Sequence, residues 1–600
     1  MASDKFFSRR NLDFTLFEVL NVTELTQYDY FSEHDHETFK FTLDAATGIA
    51  EQIMRPNYVE SDRQVPELVD GIVKVHKGAH EYLKTISESG MMSAIFPEAD
   101  GGQQTPKTVM GAVEYITGAA HNSLVMYSDL TVGAASLIWT FGSEALKKTF
   151  VGKMLSAEWT GTMCLTEPQA GSGLSDILTS AAPKRDGVYS IKGTKIFITC
   201  GDHDITDNIV HLVLARIMGA PKGTKGISLF VIPKKRISSD GSLVSNDVTS
   251  VGVYHKMGQK GSPALHLDFG SNDDCEGYLV GEPNQGLGYM FLMMNGSRLN
   301  VGMNGVCVGS AAYYASLQYA HERKQGKRPG SFETVAIIEH PDVRRMLLSQ
   351  KAFVEGTLCF ILHCFKYLDL EKVSKTAPER ERYNDLLELL TPVAKAYGSE
   401  KGFSSINEGL QVLGGYGYTE DFPLEQMVRD ARIFSLYEGT TGIQAQAVLG
   451  RQIVRNGGRA VELWLDEVNA DVKAARAYKE LSSYATIYGK EVREWHKLTR
   501  YLVELGSKGN AEVFLADANL YLELFGILNV GWQWVRQGAV AIRALRYGEL
   551  SDADKIFYES KMLTMKFFLR YELVKAKALR TRLMDGDVLT IFDSNKEMII

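Results

Sequence analysis

GVYSIKGTKIFIT, residues 187–199, is the stretch that separates this chain from a purely helical protein. Its β-branched and aromatic residues, bounded by turn-forming residues, are typical of a strand. Further β-rich runs follow, IVHLVLARI at 209–217, GISLFVIP at 226–233 and ALHLDFG at 264–270, and Gly, Pro, Asp and Asn separate them. Together these runs predict an all-β insert over residues 162–284.

Helical periodicity flanks this insert on both sides. Apolar residues recur at helical spacing in VDGIVKVHKGAHEYLKTISESGM at 69–91 and ALKKTFVGKMLS at 145–156, and again from about Gly286 onward. No proline follows Pro423, and NGG at 456–458 is a plausible joint before further amphipathic stretches. The predicted fold is therefore mainly α with an inserted β domain. It has an N-terminal helical domain (1–161), a central β-barrel (162–284), a C-terminal four-helix bundle (285–455) and an additional helical domain (456–600).

Composition bounds the class of protein. The chain has 600 residues, 45% of them apolar and 23% charged, which is ordinary for a globular protein with a large core. A formal net charge of -8 has the wrong sign for a protein that binds nucleic acid through its phosphates. Six scattered cysteines form no C-x-x-C pair, which indicates a reduced environment. We see no leader or membrane-spanning segment, and we expect a cytoplasmic protein.

A possible metal cluster is His34, Asp35, His36 and Glu37. Adjacent spacing on a polar run with no further partner favours a solvated turn, so we predict no metal site.

Three segments carry the chemistry. SLYEGTTGIQ at 435–444 places Glu438 before a Gly-Thr-Thr-Gly run, which on its own is more typical of a helix start with a capping threonine. MCLTEPQAGSGLSD at 163–176 has small residues that allow close approach to a flat or phosphorylated ligand. QVLGGYGYTEDFPLEQMVRDARI at 411–433 combines a Gly-Gly break with an Arg-Asp pair.

Taken in order with IFIT at 196–199 and ERK at 322–324, these motifs resemble the acyl-CoA dehydrogenase family of flavoenzymes, and its long bacterial branch with a C-terminal helical extension is the most similar. The resemblance implies FAD-dependent desaturation of an acyl-CoA thioester, a place in fatty acid metabolism, and an electron-transfer flavoprotein as acceptor. Such a reaction needs a base for the α proton, and desolvation can raise the pKa of a carboxylate into the working range. Glu438 is the predicted base, with Glu420 and Glu425 as the next candidates.

The resemblance also implies binding residues. The predicted flavin contacts are Leu165, Thr166, Phe197, Thr199, Gly439 and Thr440, and the predicted contacts to the dinucleotide half are Arg323, Gln411, Gly414 and Gly415. The predicted substrate contacts are Ser172, Asn295 and Arg298. Phe197 stands where many relatives have Trp, and Asn295 where they have Asp.

Two alternative functions remain open. An acyl-CoA oxidase would share the first half-reaction, and a DNA-binding flavoprotein relative would need a basic C-terminal face that the mixed charges after Gly450 do not provide. The identity of the acyl group cannot be predicted. The resemblance implies a homodimer whose C-terminal tail packs on the bundle.

Overall fold

A computed structural model describes residues 5–185, 187–509 and 511–591. Its α-helices are α1 Arg9–Asp13, α2 His36–Ile49, α3 Tyr58–Arg63, α4 Lys77–Glu88, α5 Lys107–Phe141, α6 Glu144–Leu146, α7 Gly152–Leu155, α8 Gly286–Glu322, α9 Pro341–Val373, α10 Ala377–Leu413, α11 Leu424–Ala431, α12 Thr441–Ala447, α13 Arg459–Arg476, α14 Lys479–Ser507, α15 Ala511–Ala516, α16 Ala518–Tyr547, α17 Asp552–Phe567 and α18 Lys575–Leu583. Its strands are β1 Glu67–Val69, β2 Ile72–Lys74, β3 Trp159–Cys164, β4 Ser180–Arg185, β5 Val188–Thr199, β6 Asn208–Ile217, β7 Ile227–Pro233, β8 Lys235–Ile237, β9 Leu243–Ser245, β10 Val248–Val253, β11 Ala264–Phe269, β12 Glu276–Val280, β13 Lys324–Lys327 and β14 Thr334–Ala336. The chain is mostly helical with a central sheet, as the sequence predicts.

The chain divides into two compact units. One unit is Asp29–Ser297, which contains the first helices and the sheet. The other unit joins the described residues before Asp29 to those after Ser297. The division falls within α8, and the first residues of the chain group with the later helices. The boundaries of the four predicted domains stay predictions.

The main sheet of the Asp29–Ser297 unit has strand order β10-β11-β5-β12-β7-β6-β3, and β4 pairs with both β5 and β6. Alternate residues of its central strands enter two different cores. Leu229 and Val231 of β7 pack in a cluster with Ile138 of α5, whereas Phe230 and Ile232 pack with Leu265 of β11. Both faces of the central strands are therefore buried, which explains their continuous apolar runs. Closure into a barrel stays a prediction.

One part of the first helical prediction is wrong. VDGIVKV does not begin a helix, because β1 and β2 form a two-stranded hairpin that turns at Asp70 and Gly71. Both turn residues have positive φ, 50° and 78°, which is the geometry that an Asp-Gly pair favours in a tight hairpin. The helical periodicity begins only after this hairpin, with α4 at Lys77.

The expectation that no segment could span a membrane also needs correction. By length and composition alone, α5 is long and apolar enough to do so, a test that core helices of soluble proteins also pass. Half of its most apolar window is buried inside the protein. Its backbone leaves helical geometry at His121, which is itself buried and bonded to Ser61. These features are those of a core helix.

The residues of the possible metal cluster have structural roles. Asp35 is the N-cap of α2 and forms a capping box with Thr38, while His34 contacts the carbonyl oxygen of Gln103 at 2.8 Å. Within the described ranges, no group of three or more His, Cys, Asp or Glu side chains is arranged to hold a metal ion.

Helices α8 and α10 approach each other closely in the second unit. A Cβ on Gly302 of α8 would lie 2.5 Å from the carbonyl oxygen of Ala394, and a Cβ on Gly398 of α10 would lie 2.4 Å from that of Gly302. Only glycine fits at such backbone contacts. This contact positions Arg298, one turn before Gly302, near Lys395, the neighbour of Ala394.

The C-terminal helices pack on the bundle, as predicted for the tail. The indole of Trp534 in α16 donates to the carbonyl oxygen of Ala352 in α9 at 3.0 Å and covers Gly356. Arg382 of α10 pairs with Glu467 of α13 at 2.8 Å. Because these contacts bury large aromatic side chains, the tail contributes directly to the stability of this unit.

Candidate active site

The segment around Glu438 has a strained backbone. Glu438 has a φ of 53°, in the left-handed region that non-glycine residues seldom adopt, and Gly439 follows with a φ of 88°. A left-handed residue of this kind costs on the order of 1–3 kcal/mol and persists only where its surroundings hold it in place. Thr440 then caps α12 by accepting a hydrogen bond from the backbone N–H of Ile443. The capping threonine is therefore present, one turn away from the carboxylate.

Two buried side chains hold this backbone. The amide nitrogen of Gln444 donates to the carbonyl oxygens of Glu438 at 2.9 Å and Gly439 at 3.3 Å. The ammonium of Lys395 donates to the same Gly439 oxygen at 2.8 Å. Gln444 and Lys395 are fully buried. Since carbonyl oxygens can only accept, Gln444 must present its nitrogen to them, which fixes the orientation of its amide.

The backbone N–H of Glu438 remains available as a donor. Across the residues that the structure describes, it donates to no other protein group. The backbone N–H and the carboxylate of Glu438 can therefore both contact the same bound ligand. This is the arrangement that stabilises negative charge developing on a ligand oxygen.

Burial dominates the electrostatics of Glu438. It raises the pKa of the carboxyl group above its ordinary value, and the charges of Arg298 and Lys395 oppose this rise without cancelling it. Burial lowers the pKa of Lys395 to about 8, although Glu438 and Glu400 favour its charged form. Burial likewise lowers the pKa of Arg298, which is only 7% exposed. The site thus contains one carboxylate and two cations with little access to solvent.

The two alternative carboxylates are less suited to act as the base. Glu425 forms a two-point ion pair with Arg429 on the same helix, at 2.8 and 3.0 Å. Glu420 is exposed to solvent. Burial raises the pKa of Glu438, whereas Glu425 is paired with an arginine and Glu420 is exposed, so Glu438 is the strongest candidate of the three.

A second segment, in the Asp29–Ser297 unit, contains the predicted flavin contacts. Leu165 and Thr166 follow β3, and the carbonyl oxygen of Thr166 accepts from the N–H of Ile196 in β5 at 3.0 Å. Lys195, with no exposed surface, donates to the carbonyl oxygen of Leu165 at 3.1 Å and to the carboxylate of Glu167 at 2.7 Å. The predicted contacts from the two motifs therefore lie together, joined by a buried ion pair.

Phe197 points outward because β5 is irregular at this position. The pairing of β5 with β11 shifts register between Ile198 and Lys195, and Phe197 between them has a φ of 59°. A β-bulge of this kind redirects a side chain. Phe197 is 59% exposed and packs against Tyr254 with ring centroids 4.6 Å apart. Thr199, at the end of the same strand, is half-buried.

The predicted contacts to the dinucleotide half are brought together in the other unit. Arg323 follows the end of α8, where Tyr319 packs against Tyr416 with ring centroids 6.5 Å apart. Tyr416 lies in the turn Gly414–Tyr418 that follows α10. All four residues predicted to contact the dinucleotide half are exposed: Arg323, Gln411, Gly414 and Gly415.

The predicted substrate contacts differ in environment. Ser172 is exposed in the loop after β3, and Asn295 is half-buried on α8. Arg298 lies on the same helix one turn later and is buried, not on the helix surface. Its Nε atom has no hydrogen-bond partner among the described side chains and backbone groups.

The sequence did not single out Lys195, Lys395 or Gln444. Lys195 lies an even number of residues from buried Ile191 in β5, which was the one local signal of its burial. Lys395 lies in the helical run PVAKAY, where nothing local distinguishes it from a surface lysine. Gln444 closes the SLYEGTTGIQ segment, but its bonds become visible only in three dimensions.

Family models match four successive parts of the chain. These models are described as the acyl-CoA dehydrogenase N-terminal domain (60–158), middle domain (162–271) and C-terminal domain (284–453), followed by an acetyl-CoA dehydrogenase C-terminal like domain (464–591). The chain belongs to the acyl-CoA dehydrogenase family, a family of FAD-dependent oxidoreductases.

Relatives of similar length are known within the family. The chain is 34% identical over 595 residues to 3-methylmercaptopropionyl-CoA dehydrogenase of Ruegeria pomeroyi, covering 97% of this chain and 98% of that protein. It is also 34% identical to a broad-specificity linear acyl-CoA dehydrogenase of Mycobacterium tuberculosis, with the same coverage of both chains. Similarity to these proteins therefore includes the C-terminal extension.

Solved structures share the fold. An acyl-CoA dehydrogenase from Bacillus anthracis, crystallised with FAD, matches 95% of this chain and 91% of its own with a TM-score of 0.73 at 20% identity. ACDH-11 of Caenorhabditis elegans, crystallised with C11-CoA, matches 96% and 94% with the same TM-score at 18% identity.

The residues that are present suit a flavin. The hydroxyl side chains of Thr166 and Thr199 are half-exposed, and the exposed ring of Phe197, two residues before Thr199, offers a flat apolar surface. Backbone and hydroxyl groups with an aromatic face are the groups expected around a planar heterocycle.

Proposed function

We propose that the protein catalyses FAD-dependent dehydrogenation of an acyl-CoA thioester between its α and β carbons, giving the 2-enoyl-CoA. The observation that carries the proposal is Glu438, a carboxylate whose pKa is raised by burial and whose own N–H donates to no group among the described residues. Both features belong to one residue that buried side chains fix in a strained backbone. A base and an oxyanion donor thus come as one rigid element.

Glu438 takes the proton from the α carbon, and its backbone N–H donates to the thioester oxygen as negative charge develops there. Bound FAD supplies the acceptor for the hydride that leaves the β carbon. The proton on Glu438 is later released to solvent. The charges of Arg298 and Lys395 favour the ionised carboxylate, because they oppose the rise in its pKa that burial causes.

The residues that would hold FAD are those of the two segments described above. The flavin would be contacted by Leu165, Thr166, Phe197, Thr199, Gly439 and Thr440. Arg323, Gln411, Gly414 and Gly415 would contact the dinucleotide half. Ser172, Asn295 and Arg298 would contact the CoA thioester.

Replacing Glu438 by Gln tests the proposal, since the amide keeps the size and the backbone N–H but cannot accept the proton. Mixed anaerobically with acyl-CoA, the Glu438→Gln holoenzyme should bleach its oxidised flavin band at least about 10² to 10⁴ times more slowly than wild type. Flavin content and acyl-CoA binding should remain. Bleaching at near wild-type rate would show that another carboxylate is the base.

The proposal extends to the electron acceptor. We infer a dehydrogenase that passes electrons to an electron-transfer flavoprotein rather than an oxidase, in keeping with the names of two dehydrogenases that are 33–34% identical over at least 95% of this chain. Turnover with a flavoprotein acceptor or its dye substitute should greatly exceed peroxide production under air. Stoichiometric peroxide at comparable rates would identify an oxidase instead.

The acyl group is proposed only as a class. Relatives with 33–34% identity are named for a thioether, a butyryl and a broad range of linear acyl groups. A panel of short, long, branched, thioether and aryl acyl-CoAs, followed by flavin bleaching, would identify the preferred chain. One methylene is expected to change specificity by only about 1–3 kcal/mol.

We further propose a cytoplasmic homodimer. The exposed group around Arg323 and Gly414 includes apolar surface, with Tyr418 87% and Phe332 92% exposed. A second copy of the chain would cover it and bring these residues to the partner's FAD. Arg323→Ala should then weaken dimerisation and flavin retention together. Flavin loss that does not depend on protein concentration would contradict this arrangement.

A further inference from the structure

Lys395 is a buried cation that contacts the backbone next to Glu438. It lies in α10 with no exposed surface, and its ammonium group is 2.8 Å from the carbonyl oxygen of Gly439. That carbonyl belongs to the residue directly after Glu438. The helix positions Lys395 through its close contact with α8, where glycines allow the two backbones to approach.

An ammonium in this position has an energetic cost. Burying a charged amine away from water is unfavourable, and burial lowers the pKa of Lys395 to about 8. An apolar residue would pack in the same run of α10 without that penalty, since its neighbours from Thr391 to Ser399 are all buried. The position of the charge beside Glu438 provides a reason for keeping it.

We propose that Lys395 is a positioning residue for the base: it holds the Gly439 carbonyl so that Glu438 keeps its left-handed backbone, and its charge favours the ionised carboxylate. This inference rests on the proposed role of Glu438. Lys395 takes no part in bond making, and it acts through the geometry and proton affinity of its neighbour.

The charged groups around Lys395 and Glu438 determine the direction in which the pKa of Glu438 changes when Lys395 is replaced. Lys395 faces Glu438, Glu400 and Arg298, and Arg298 in turn faces Glu388 and Arg451. Removing the Lys395 charge leaves Arg298 as the cation that opposes the effect of burial on Glu438. The pKa of Glu438 should rise, so the acid limb of flavin reduction should move to higher pH.

The experiment compares Lys395→Met with wild type and with Lys395→Arg, all as FAD-loaded enzyme. Flavin reduction is followed anaerobically with saturating acyl-CoA as a function of pH. In Lys395→Met the acid limb should move up by about one pH unit, the lower end of what a nearby opposite charge does. Lys395→Arg keeps the positive charge and the hydrogen-bond donors, so its pH profile of flavin reduction should lie closer to wild type than that of Lys395→Met.

A matched control is Lys561→Met. Lys561 is equally buried and also has a pKa lowered to about 8, but it bonds to Glu355 and Gln537 between α9, α16 and α17. Its loss should reduce the thermal midpoint and leave the pH profile of flavin reduction unchanged. The control distinguishes the general effect of removing a buried lysine from the specific effect of removing Lys395.

A double variant provides a second readout. If Lys395 acts through Glu438, adding Lys395→Met to Glu438→Gln should lower the residual rate of flavin reduction by less than twofold, although Lys395→Met alone lowers the wild-type rate about tenfold. A general structural role would lower both rates equally. If Lys395→Met does not yield folded holoenzyme, Lys395→Gln is measured in the same way.

The outcomes are distinct. A folded Lys395→Met enzyme with the wild-type rate and acid limb would overturn the role of Lys395 while Glu438→Gln still shows a base. Wild-type flavin reduction by Glu438→Gln would instead overturn the proposed function itself.

Discussion

Glu167 is buried and Glu438 is partly exposed, and each lies beside a fully buried lysine, yet the pKa values of their carboxyl groups shift in opposite directions. The carboxylate of Glu167 accepts directly from Lys195 at 2.7 Å, from the hydroxyl of Thr179 at 2.6 Å and from the N–H of Leu178 at 2.6 Å. Burial alone would raise its pKa, but these bonds and the Lys195 charge outweigh burial and lower it.

Glu438 lacks such bonds. Its lysine donates to the next residue's carbonyl oxygen instead, and in the described part of the chain its carboxylate forms no hydrogen bond or direct ion pair. Burial therefore prevails and the pKa rises. The comparison shows that hydrogen bonding to the carboxylate, more than the presence of a lysine, separates a structural glutamate from one that can accept a proton.

The largest stability effect is expected at the structural pair. Lys195→Met leaves Glu167 buried without its cation, which typically destabilises by about 3–5 kcal/mol. Thermal unfolding and flavin content should both report this loss. Lys192→Met is the matched control, since Lys192 lies in the same strand but is exposed and pairs with exposed Asp273. If Lys195→Met has the same thermal midpoint as Lys192→Met, the ion pair of Lys195 with Glu167 does not stabilise the loop that follows β3.

An intermediate effect is expected from Gly439→Ala. Alanine is strained at a φ of 88°, and its Cβ would lie 2.7 Å from the amide nitrogen of Gln444. Since small displacements of a reacting group can reduce rates about 10²-fold, flavin reduction should slow by about 10-fold or more. Gly442→Ala has no contact closer than 3.9 Å and should match wild type. Equal rates for both variants would show that the turn is not a fixed element.

The smallest effect is a change of stability with pH at Glu438. Its folded pKa is raised by burial, so the folded state loses stability as pH rises from the ordinary carboxyl pKa through the folded one. Glu438→Gln should therefore raise the thermal midpoint at neutral pH, by about 1–2 °C. The difference should vanish near pH 4. A lower midpoint at neutral pH would mean that the carboxylate is stabilised like Glu167.

The β-rich runs bounded by turn residues and the helical periodicity of the flanking regions were enough to predict the α, β, α order. The hairpin at Asp70 was missed because its short strands share apolar spacing with the helix that follows. Glu438 could be found because its motif is contiguous. Lys395 could not, because it is 43 residues away in sequence and only the glycine contact between α8 and α10 places it there.

Phe197 illustrates the same limit within one strand. Its motif predicts a flavin contact, but strict alternation along β5 does not predict the bulge that turns its ring outward. Lys195 was missed since a lysine in a strand usually faces solvent. Its burial depends on Glu167, which comes from a loop 28 residues earlier.

The most direct test of the central claim is α-proton exchange, which isolates the base from hydride transfer. An acyl-CoA with sulfur in place of the β carbon carries no β hydride, and its α-proton exchange into D2O can be followed by NMR. Wild type should exchange this proton, Glu167→Gln should do so within about tenfold per bound flavin, and Glu438→Gln should be slower by at least about 10². Exchange by Glu438→Gln at the wild-type rate, or an equal loss in Glu167→Gln, would contradict the account.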